Sequence, residues 1–461
     1  MWRGRQAKLA LAVGLALAAL AAAPTAFADF FPVTKHGDHA PGPCTKADCT
    51  LREAILAANA NPGRDRILLP SKRPYHLSRT GVPDDGALRG DLDITNNPLR
   101  IYHGSSGWAT IDAQGTDRVF EIFAHAPTTL ENLRITGGDH PTSHDGDGGG
   151  IHTTANLTLD NCILTGNHAR GTNGDGGGLQ ALDGKLWVLD SEITDNIAAD
   201  TSGALDIGNH GVTIKHSKFS GNRAPFAGVG YFYGDGASTI GMSTFSKNRT
   251  SGETGTIYFS ESAGSLFVSR STFNGNVAGT DGAGFSARNG DVRMVNVTIA
   301  NNRARGFGGG LWASTPTTLN SVTIVRNVSD SDQAGSEAGG GIYVNPGFSI
   351  PVKVRNTIVA LNRLGNGTRS DCAGDPFTSL GHNLLSTRGP AGACDGFDEP
   401  SDRVSGHPHL GGLKQNGGAT KTVALLAGSP AIGHADPGTA PARDQRGVPR
   451  HDPDTGAFER S

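Results

Sequence analysis

The sequence lacks an excess of charge of either sign and lacks a long apolar run in its main part. Its 40 Lys and Arg residues nearly balance 43 Asp and Glu residues, whereas nucleic-acid-binding domains are usually basic. After the first 28 residues, no apolar stretch is long enough to cross a bilayer. We therefore expect no nucleic-acid partner and no membrane span in the mature chain.

Cysteine is also sparse, with 5 residues in 461. Cys44 and Cys49 are close in sequence, as are Cys372 and Cys394. In an exported protein, each pair predicts a local disulfide. Cys162 has no such neighbour, and its place in a repeat predicts a buried free thiol that packs as a small apolar group.

The first 28 residues have the pattern of a secretory signal. Three basic residues lie within residues 3–8, residues 9–23 are apolar, and residues 26–28 read Ala-Phe-Ala. Cleavage after this leader would leave a chain with a net charge of about −6. The pattern predicts a protein that is secreted or located in the cell envelope.

Glycine is the residue in excess, with 67 of 461 residues, about twice the usual share of ~7%. Glycine-rich strings such as residues 148–150 and 176–178 begin eight similar copies between residues 148 and 363. Because each string leads into a strand pattern and recurs, we interpret it as a turn rather than a phosphate-binding loop. One Asn per copy, at intervals of 25 to 35 residues, fixes the register: Asn167, Asn196, Asn222, Asn248, Asn276, Asn302, Asn327 and Asn362.

Each copy contains about three short alternating runs and is too small to bury its own apolar face. Such copies must stack on one another, which predicts a parallel β-helix with one copy per coil. The Asn residues are predicted to adopt the left-handed turn conformation and to form a hydrogen-bonded ladder. Three residues before each Asn, a large side chain is predicted to form an interior column: Leu164, Ile193, Phe219, Phe245, Phe273, Ile299, Ile324 and Val359.

Different patterns flank the repeats. Residues 29–70 predict an N-terminal cap, in which Thr50 and Glu53 form a capping box at the start of a short helix. We assign residues 71–363 to the β-helix. Residues 364–461 are rich in Gly and Pro and predict a C-terminal cap wrapped on the last coil.

Three motifs carry a resemblance to known families. The string CTLREAI at residues 49–55 resembles the CSLREA segment of secreted bacterial β-helix proteins. The GGGI and FSGN strings are similar to repeats of polymorphic outer-membrane proteins, and SPAIGHA, DQRGVPR and DTGAFER are similar to the choice-of-anchor Q region. The resemblance implies an all-β, single-stranded, right-handed parallel β-helix of the pectin-lyase type, with a short N-terminal helix. It implies no particular activity, although polysaccharide lyases and hydrolases share this fold.

The residue that follows the first inward position of each coil is predicted to point outward. The inward positions are Ile151, Leu179, Leu205, Tyr231, Ile257, Phe285, Leu311 and Ile342. Aromatic residues in line on an exposed face predict a platform for an extended polysaccharide or cell-surface glycan. The alternative is that a loop covers the stripe, or that its rings pack only on each other. The predicted stripe is His152, Gln180, Asp206, Phe232, Tyr258, Ser286, Trp312 and Tyr343.

An enzyme and a purely structural or adhesive surface protein are the alternative functions. A lyase would need carboxylates that hold a cation, and Asp145, Asp147 and Asp175 are candidate Ca²⁺ ligands on consecutive turns. The alternative for these three is a solvated turn. Asp206 and His152 share the outer face two coils apart, but we assign no catalytic residue, because no convincing pair of carboxylates for a hydrolase is evident.

Overall fold

The protein is an all-β parallel β-helix, as the repeats predict. A computed structural model describes residues 28–80, 86–140, 147–208, 210–335, 337–347, 352–390 and 393–460. Residues 1–27 of the predicted leader, and Asp145, lie outside this range. Each coil contributes up to four strands, and each strand pairs in parallel with its counterparts in the coils before and after it. We call the four resulting rows of strands columns 1 to 4.

Columns 1 and 2 form one 22-stranded sheet within the described residues. The strands Ile257–Ser269 and Phe285–Val295 run through both columns. The other strands of column 1 are Leu92–Ile94, Phe120–Ile122, Ile151–Thr153, Leu179–Ala181, Leu205–Ile207, Gly230–Tyr233, Leu311–Ala313, Ile342–Val344 and Cys372–Gly374. Those of column 2 are Phe30–Pro32, Asp65–Leu68, Leu99–Tyr102, Thr128–Glu131, Leu157–Asp160, Leu186–Leu189, Val212–Lys215, Ala237–Gly241, Thr317–Asn320, Val352–Arg355 and Thr378–Ser379.

Columns 3 and 4 complete the coil. Column 3 comprises Tyr75–His76, Ala109–Asp112, Leu133–Thr136, Ile163–Thr165, Glu192–Thr194, Lys218–Ser220, Thr244–Ser246, Thr272–Asn274, Thr298–Ala300, Thr323–Val325, Ile358–Ala360, Leu384–Leu385 and Arg403–Val404. Column 4 comprises Asp139–His140, His168–Ala169, Ile197–Ala198, Arg223–Ala224, Arg249–Thr250, Val277–Ala278, Arg303–Ala304, Val328–Ser329 and Arg363–Leu364. Parallel pairing therefore begins before residue 71 and continues after residue 363.

A single helix of the described residues, Leu51–Ala60, lies at the N-terminal end of the coil stack. The capping box is confirmed: the Glu53 N–H donates to the Thr50 hydroxyl at 3.1 Å, and the Thr50 N–H donates to Glu53 Oε2 at 2.8 Å. The predicted apolar face is buried, since Ile55 and Ala58 are at most 3% exposed. The helix thereby covers the interior of the first coils and keeps water from it.

The interior is built from the predicted apolar column. Phe219, Phe245 and Phe273 occupy equivalent positions in three successive coils, and their rings stack with centroids 5.0 and 4.7 Å apart. All eight predicted members of the column are fully buried. Cys162 is a buried free thiol, as predicted, and both predicted disulfides, Cys44–Cys49 and Cys372–Cys394, are present.

The predicted Asn ladder is confirmed. In a typical rung, the backbone N–H and the side-chain Nδ2 of Asn222 both donate to Oδ1 of Asn248, each at 3.1 Å. The same pair of bonds links every neighbouring pair of the eight residues, and the last, Asn362, donates to Asp371. Each amide is buried and fully used, so this ladder fixes the register of successive coils.

The predicted backbone conformation of the ladder residues is wrong. None of the eight has a positive φ; the left-handed residue is the one before each of them, such as Lys247 with φ 59°. The Asn side chain must point into the coil to meet the next amide, so the turn takes its strained conformation one residue earlier. The glycine strings do form turns: Gly176 has φ +63°, and a Cβ on Gly178 would lie 2.7 Å from the carbonyl oxygen of Ala204.

The C-terminal segment contacts the last coil at His382 and Leu384, and it also extends along the side of the stack, beyond the predicted position. The amide of Gln445 bonds to Thr272 and Thr298 of column 3, and Gly456 bonds to Asn356. The segment contains an antiparallel pair, Leu410–Lys414 and Thr422–Leu425. It forms a second apolar core with the outward side chains of column 3, which include Ala300, Val325, Ile358, Ala360 and Leu384.

Candidate functional site

The candidate site is the outward row of side chains on column 1. Parallel pairing places one residue of each coil beside its counterpart in the next, about 4.8 Å away. The row is acidic at its N-terminal end and aromatic at its C-terminal end. Its members, in register, are Asp93, Glu121, His152, Gln180, Asp206, Tyr231, Tyr258, Ser286, Trp312 and Tyr343.

The prediction that Phe232 belongs to the outward stripe is wrong. Tyr231, not Phe232, pairs with Asp206, and Phe232 points into the core with 0% exposure. The reason is Gly230, which takes the first inward position of this coil in register with Leu205. Aligning the strings Gly-Val-Gly at 228–230 and Gly-Ala-Leu at 203–205 would have revealed this offset.

The aromatic end of the row is organised around Arg288. Its guanidinium lies over the ring of Trp312, with Cζ 3.4 Å from the ring centroid, and 5.0 Å from that of Tyr258. Arg288 Nη2 also bonds to Glu253 Oε2 at 2.7 Å. Two rings and one carboxylate therefore hold this cation in a fixed position, where burial lowers its pKa despite the opposing effects of Tyr258 and Glu253.

Loops between columns 4 and 1 cover part of this end of the row. Phe226 packs on Tyr258 with ring centroids 4.6 Å apart, and Phe307 packs on Tyr343 at 4.4 Å. Trp312 is only 4% exposed. The open part of the surface consists of half-buried rings, including Tyr231, Tyr258 and Tyr343. Sequence reasoning missed Phe226 and Phe307, because loop positions follow no period.

Asp206 is the most unusual ionisable group in the row. It is 1% exposed, and its Oδ2 accepts hydrogen bonds from the hydroxyls of Thr201 at 2.7 Å and Ser202 at 3.4 Å. Burial raises the pKa of its carboxyl to about 7, although the hydrogen bonds from Thr201 and Tyr233 favour the charged form. Near neutral pH the group can therefore give or accept a proton.

Three other polar side chains on this face each bury an atom that has no hydrogen-bond partner among the described residues. These atoms are Gln180 Oε1, Ser286 Oγ and Arg288 Nε. A buried polar atom without a partner costs about 1–3 kcal/mol. Ordered water would remove this cost.

The N-terminal end of the row contains a charged cluster. Asp91, Asp93 and Glu121 bring one carboxylate oxygen each within 4.8 Å of one another, the kind of spacing a metal ion would need. Arg118 lies 3.1 Å from Asp91, and His152 lies 3.2 Å from Glu121. Burial raises the pKa of Asp91, and the neighbouring Asp93 raises it further. The coils before residue 147 repeat imperfectly, so the sequence pattern did not reveal this cluster.

The two predicted Ca²⁺ ligands among the described residues, Asp147 and Asp175, accept hydrogen bonds from the backbone. Asp147 Oδ1 accepts a hydrogen bond from the backbone of Asp175, and Asp175 Oδ1 accepts one from the backbone of Thr201, both at 3.0 Å. These bonds fit the alternative interpretation, in which the carboxylates stabilise turns. Within the described residues, the groups spaced for a metal do not include either of them.

The chain matches no protein-family model and no curated protein. Among the described residues, no helix has both the length and the apolar character required to span a membrane. The chemistry of the outward row is therefore the basis for a functional argument.

Proposed function

We propose that this protein is exported and binds an extended polysaccharide along the outward row from Gln180 to Tyr343. The proposal depends on one observation: half-buried tyrosine rings and the partly exposed guanidinium of Arg288 occupy the same face. Sugars present apolar ring faces together with hydroxyl groups, so they match both features. Two disulfides accord with an oxidising compartment.

Each group has a distinct part in this binding. The rings of Tyr231, Tyr258 and Tyr343 would pack against the apolar faces of successive sugar residues. The guanidinium of Arg288, whose side chain is 15% exposed, would donate to a sugar oxygen, and its stacking on Trp312 means that little side-chain entropy is lost on binding. The parallel coils give the row the linear form that an extended polymer requires.

The test is affinity electrophoresis in gels that contain single neutral or acidic polysaccharides. Tyr258→Ala and Tyr343→Ala should each weaken binding roughly ten-fold, because each removes a stacking surface. The matched control is Phe267→Ala, which removes an exposed aromatic ring from column 2 and should leave binding unchanged. Equal retention of all variants on every retaining polysaccharide would refute the proposal.

A polysaccharide lyase or hydrolase is the second candidate, favoured by the pKa of about 7 for Asp206. A general acid or base works best when its pKa lies near the operating pH. His152 is two register steps away, about 10 Å, so these two groups would act at different atoms of a substrate. Incubation with pectate and alginate separates the candidates: a lyase gives unsaturated products that absorb in the ultraviolet, and a hydrolase gives new reducing ends without them. An Asp206-dependent product would establish the enzyme, and its absence would leave binding as the function.

A further inference from the structure

A second surface, on column 4, has a concentration of arginine that the proposed function does not use. Column 4 strands have two residues, of which the first points outward. Four of these outward residues are arginine, and all four are exposed. We call this surface the arginine face. In register, its outward residues are Asp139, His168, Ile197, Arg223, Arg249, Val277, Arg303, Val328 and Arg363.

The arginine face contains two neighbouring grooves. The first, of 460 Å³, is lined by Arg223, Arg249 and Arg305, with Ile197 and Val277 among its apolar residues. The second, of 520 Å³, continues along the same column. Its arginines are Arg303, Arg326, Arg363 and Arg369.

Most of these guanidinium groups are open to a ligand, although Arg303 and Arg326 each donate to a backbone carbonyl, that of Ser331 and that of Leu410. Among the described residues, no carboxylate lies within ion-pair distance of any of the seven arginines that line the grooves. By contrast, Arg52, Arg118 and Arg288 are each paired with an acid. Exposed like charges in a row repel each other at low ionic strength, and an anionic ligand would relieve this repulsion.

We infer that the arginine face binds a linear acidic polysaccharide through its carboxylate groups. The guanidinium is a planar fork that pairs with a carboxylate through two parallel hydrogen bonds. Along column 4, Arg223 and Arg249 are one register step apart, and Arg303 and Arg363 follow at intervals of two steps. The intervals are about 4.8 and 9.6 Å, so a polymer with regularly spaced charges can contact all four.

The residues that line the grooves favour an acidic polysaccharide over a nucleic acid. Proteins that bind single-stranded nucleic acids usually stack the bases on aromatic side chains. The residues that line the two grooves include no aromatic ring. Apolar residues such as Ile197, Val277 and Pro225 lie between the arginines of the first groove and suit the apolar faces of sugar rings.

The experiment compares two charge-matched variants of the full chain. Arg223→Gln/Arg249→Gln removes two exposed charges from the face, and Arg66→Gln/Arg293→Gln removes two exposed charges from column 2. Binding of polygalacturonate, of neutral dextran and of single-stranded DNA is measured by isothermal titration calorimetry at low and high salt. Circular dichroism checks that each variant is folded.

We expect salt-sensitive binding of polygalacturonate that the first variant weakens by about ten-fold or more, whereas the second variant changes it less than about two-fold. Equal weakening by both variants would show a non-specific charge effect and overturn the proposal. Tighter binding of DNA than of polygalacturonate, or no binding of polygalacturonate, would also overturn it. Arg223→Gln/Arg249→Gln should leave retention of a neutral polysaccharide by the outward row unchanged, which separates the arginine face from the proposed function of the outward row.

Discussion

The ring of Phe232 occupies the interior space in which a side chain at position 230 would lie. A Cβ on Gly230 would be 2.6 Å from Cε1 of Phe232. In the preceding coil, Leu205 and Ile207 hold the two equivalent positions. The pair Gly230 and Phe232 therefore fills the volume that one aliphatic pair fills in the preceding coil.

Because Phe232 fills the space of a side chain at position 230, we expect a strong energetic coupling between positions 230 and 232. Gly230→Leu alone should overpack the core by about 1–3 kcal/mol, and Phe232→Ile alone should leave a cavity and cost a similar amount. The double variant recreates the Leu205 and Ile207 pair and should lose less than the sum of the single effects. Urea denaturation of all four proteins gives the coupling energy. Additive losses would show that the two side chains do not share one space.

The Asn ladder predicts a second large effect on stability. The side chain of Asn248 makes four buried hydrogen bonds: its Oδ1 accepts two from Asn222, and its Nδ2 donates to Asn276 Oδ1 and to the carbonyl of Phe219. Asn248→Ala should lower the free energy of unfolding by at least ~3 kcal/mol, because it leaves buried groups without partners. Chemical denaturation measures this loss. Asn274→Ala is the control, since Asn274 accepts one exposed bond from Asn301 and should cost under ~1 kcal/mol. Similar losses for both would contradict the role of the ladder.

The raised pKa of Asp206 predicts that the stability of the protein depends on pH. Its pKa is about 7 in the folded protein and 3.8 in the reference state. Between these values the folded state holds the proton and the unfolded state does not, so this group lowers the free energy of unfolding as pH rises from about 4 to about 7. Asp206→Asn stays neutral and removes this contribution.

Thermal denaturation between pH 4 and pH 8 tests the direction in which stability changes with pH. The stability of Asp206→Asn relative to wild type should rise with pH, by up to a few kcal/mol near pH 7. Asp190→Asn, at an exposed carboxyl with 63% side-chain exposure, serves as the control and should show a smaller change. A relative stability that stays constant with pH would mean that Asp206 is ionised in the folded protein.

The burial of Cys162 predicts that its thiol is unreactive in the folded protein. Burial raises its pKa to about 12, so at pH 8 on the order of one molecule in 10⁴ carries the reactive thiolate. Iodoacetamide should modify the protein only after denaturation, as mass spectrometry would detect. Cys162→Ser should fold normally, since Ser191 and Ser217 occupy the same slot in the next coils and accept equivalent backbone hydrogen bonds. Rapid modification of the native protein would contradict the buried position.

Much of the fold was predictable because the recurring Asn and the alternating apolar residues of each copy leave few possible arrangements of the chain. The ladder positions from Asn167 to Asn362 and the column that includes Phe245 followed from spacing alone. The outward row was predictable where inward and outward residues alternate regularly. The prediction failed at Phe232 because Gly230 takes the first inward position of that coil. The places of Phe226 and Arg288 depend on how loops and side chains pack across coils, which no sequence period encodes. The resemblance to the CSLREA and choice-of-anchor Q families stays a prediction.

The C-terminal segment changes how the stack should come apart. In a simple solenoid, coils contact only their neighbours, and the end coil can detach first. Here the segment bonds to Thr272, Thr298 and Asn356, so the strands of column 3 from residue 272 to residue 385 share one partner. Melting of the last coil would also remove contacts from coils well before it. The C-terminal half is therefore expected to unfold in one step, without a loose end from which coils are lost one at a time.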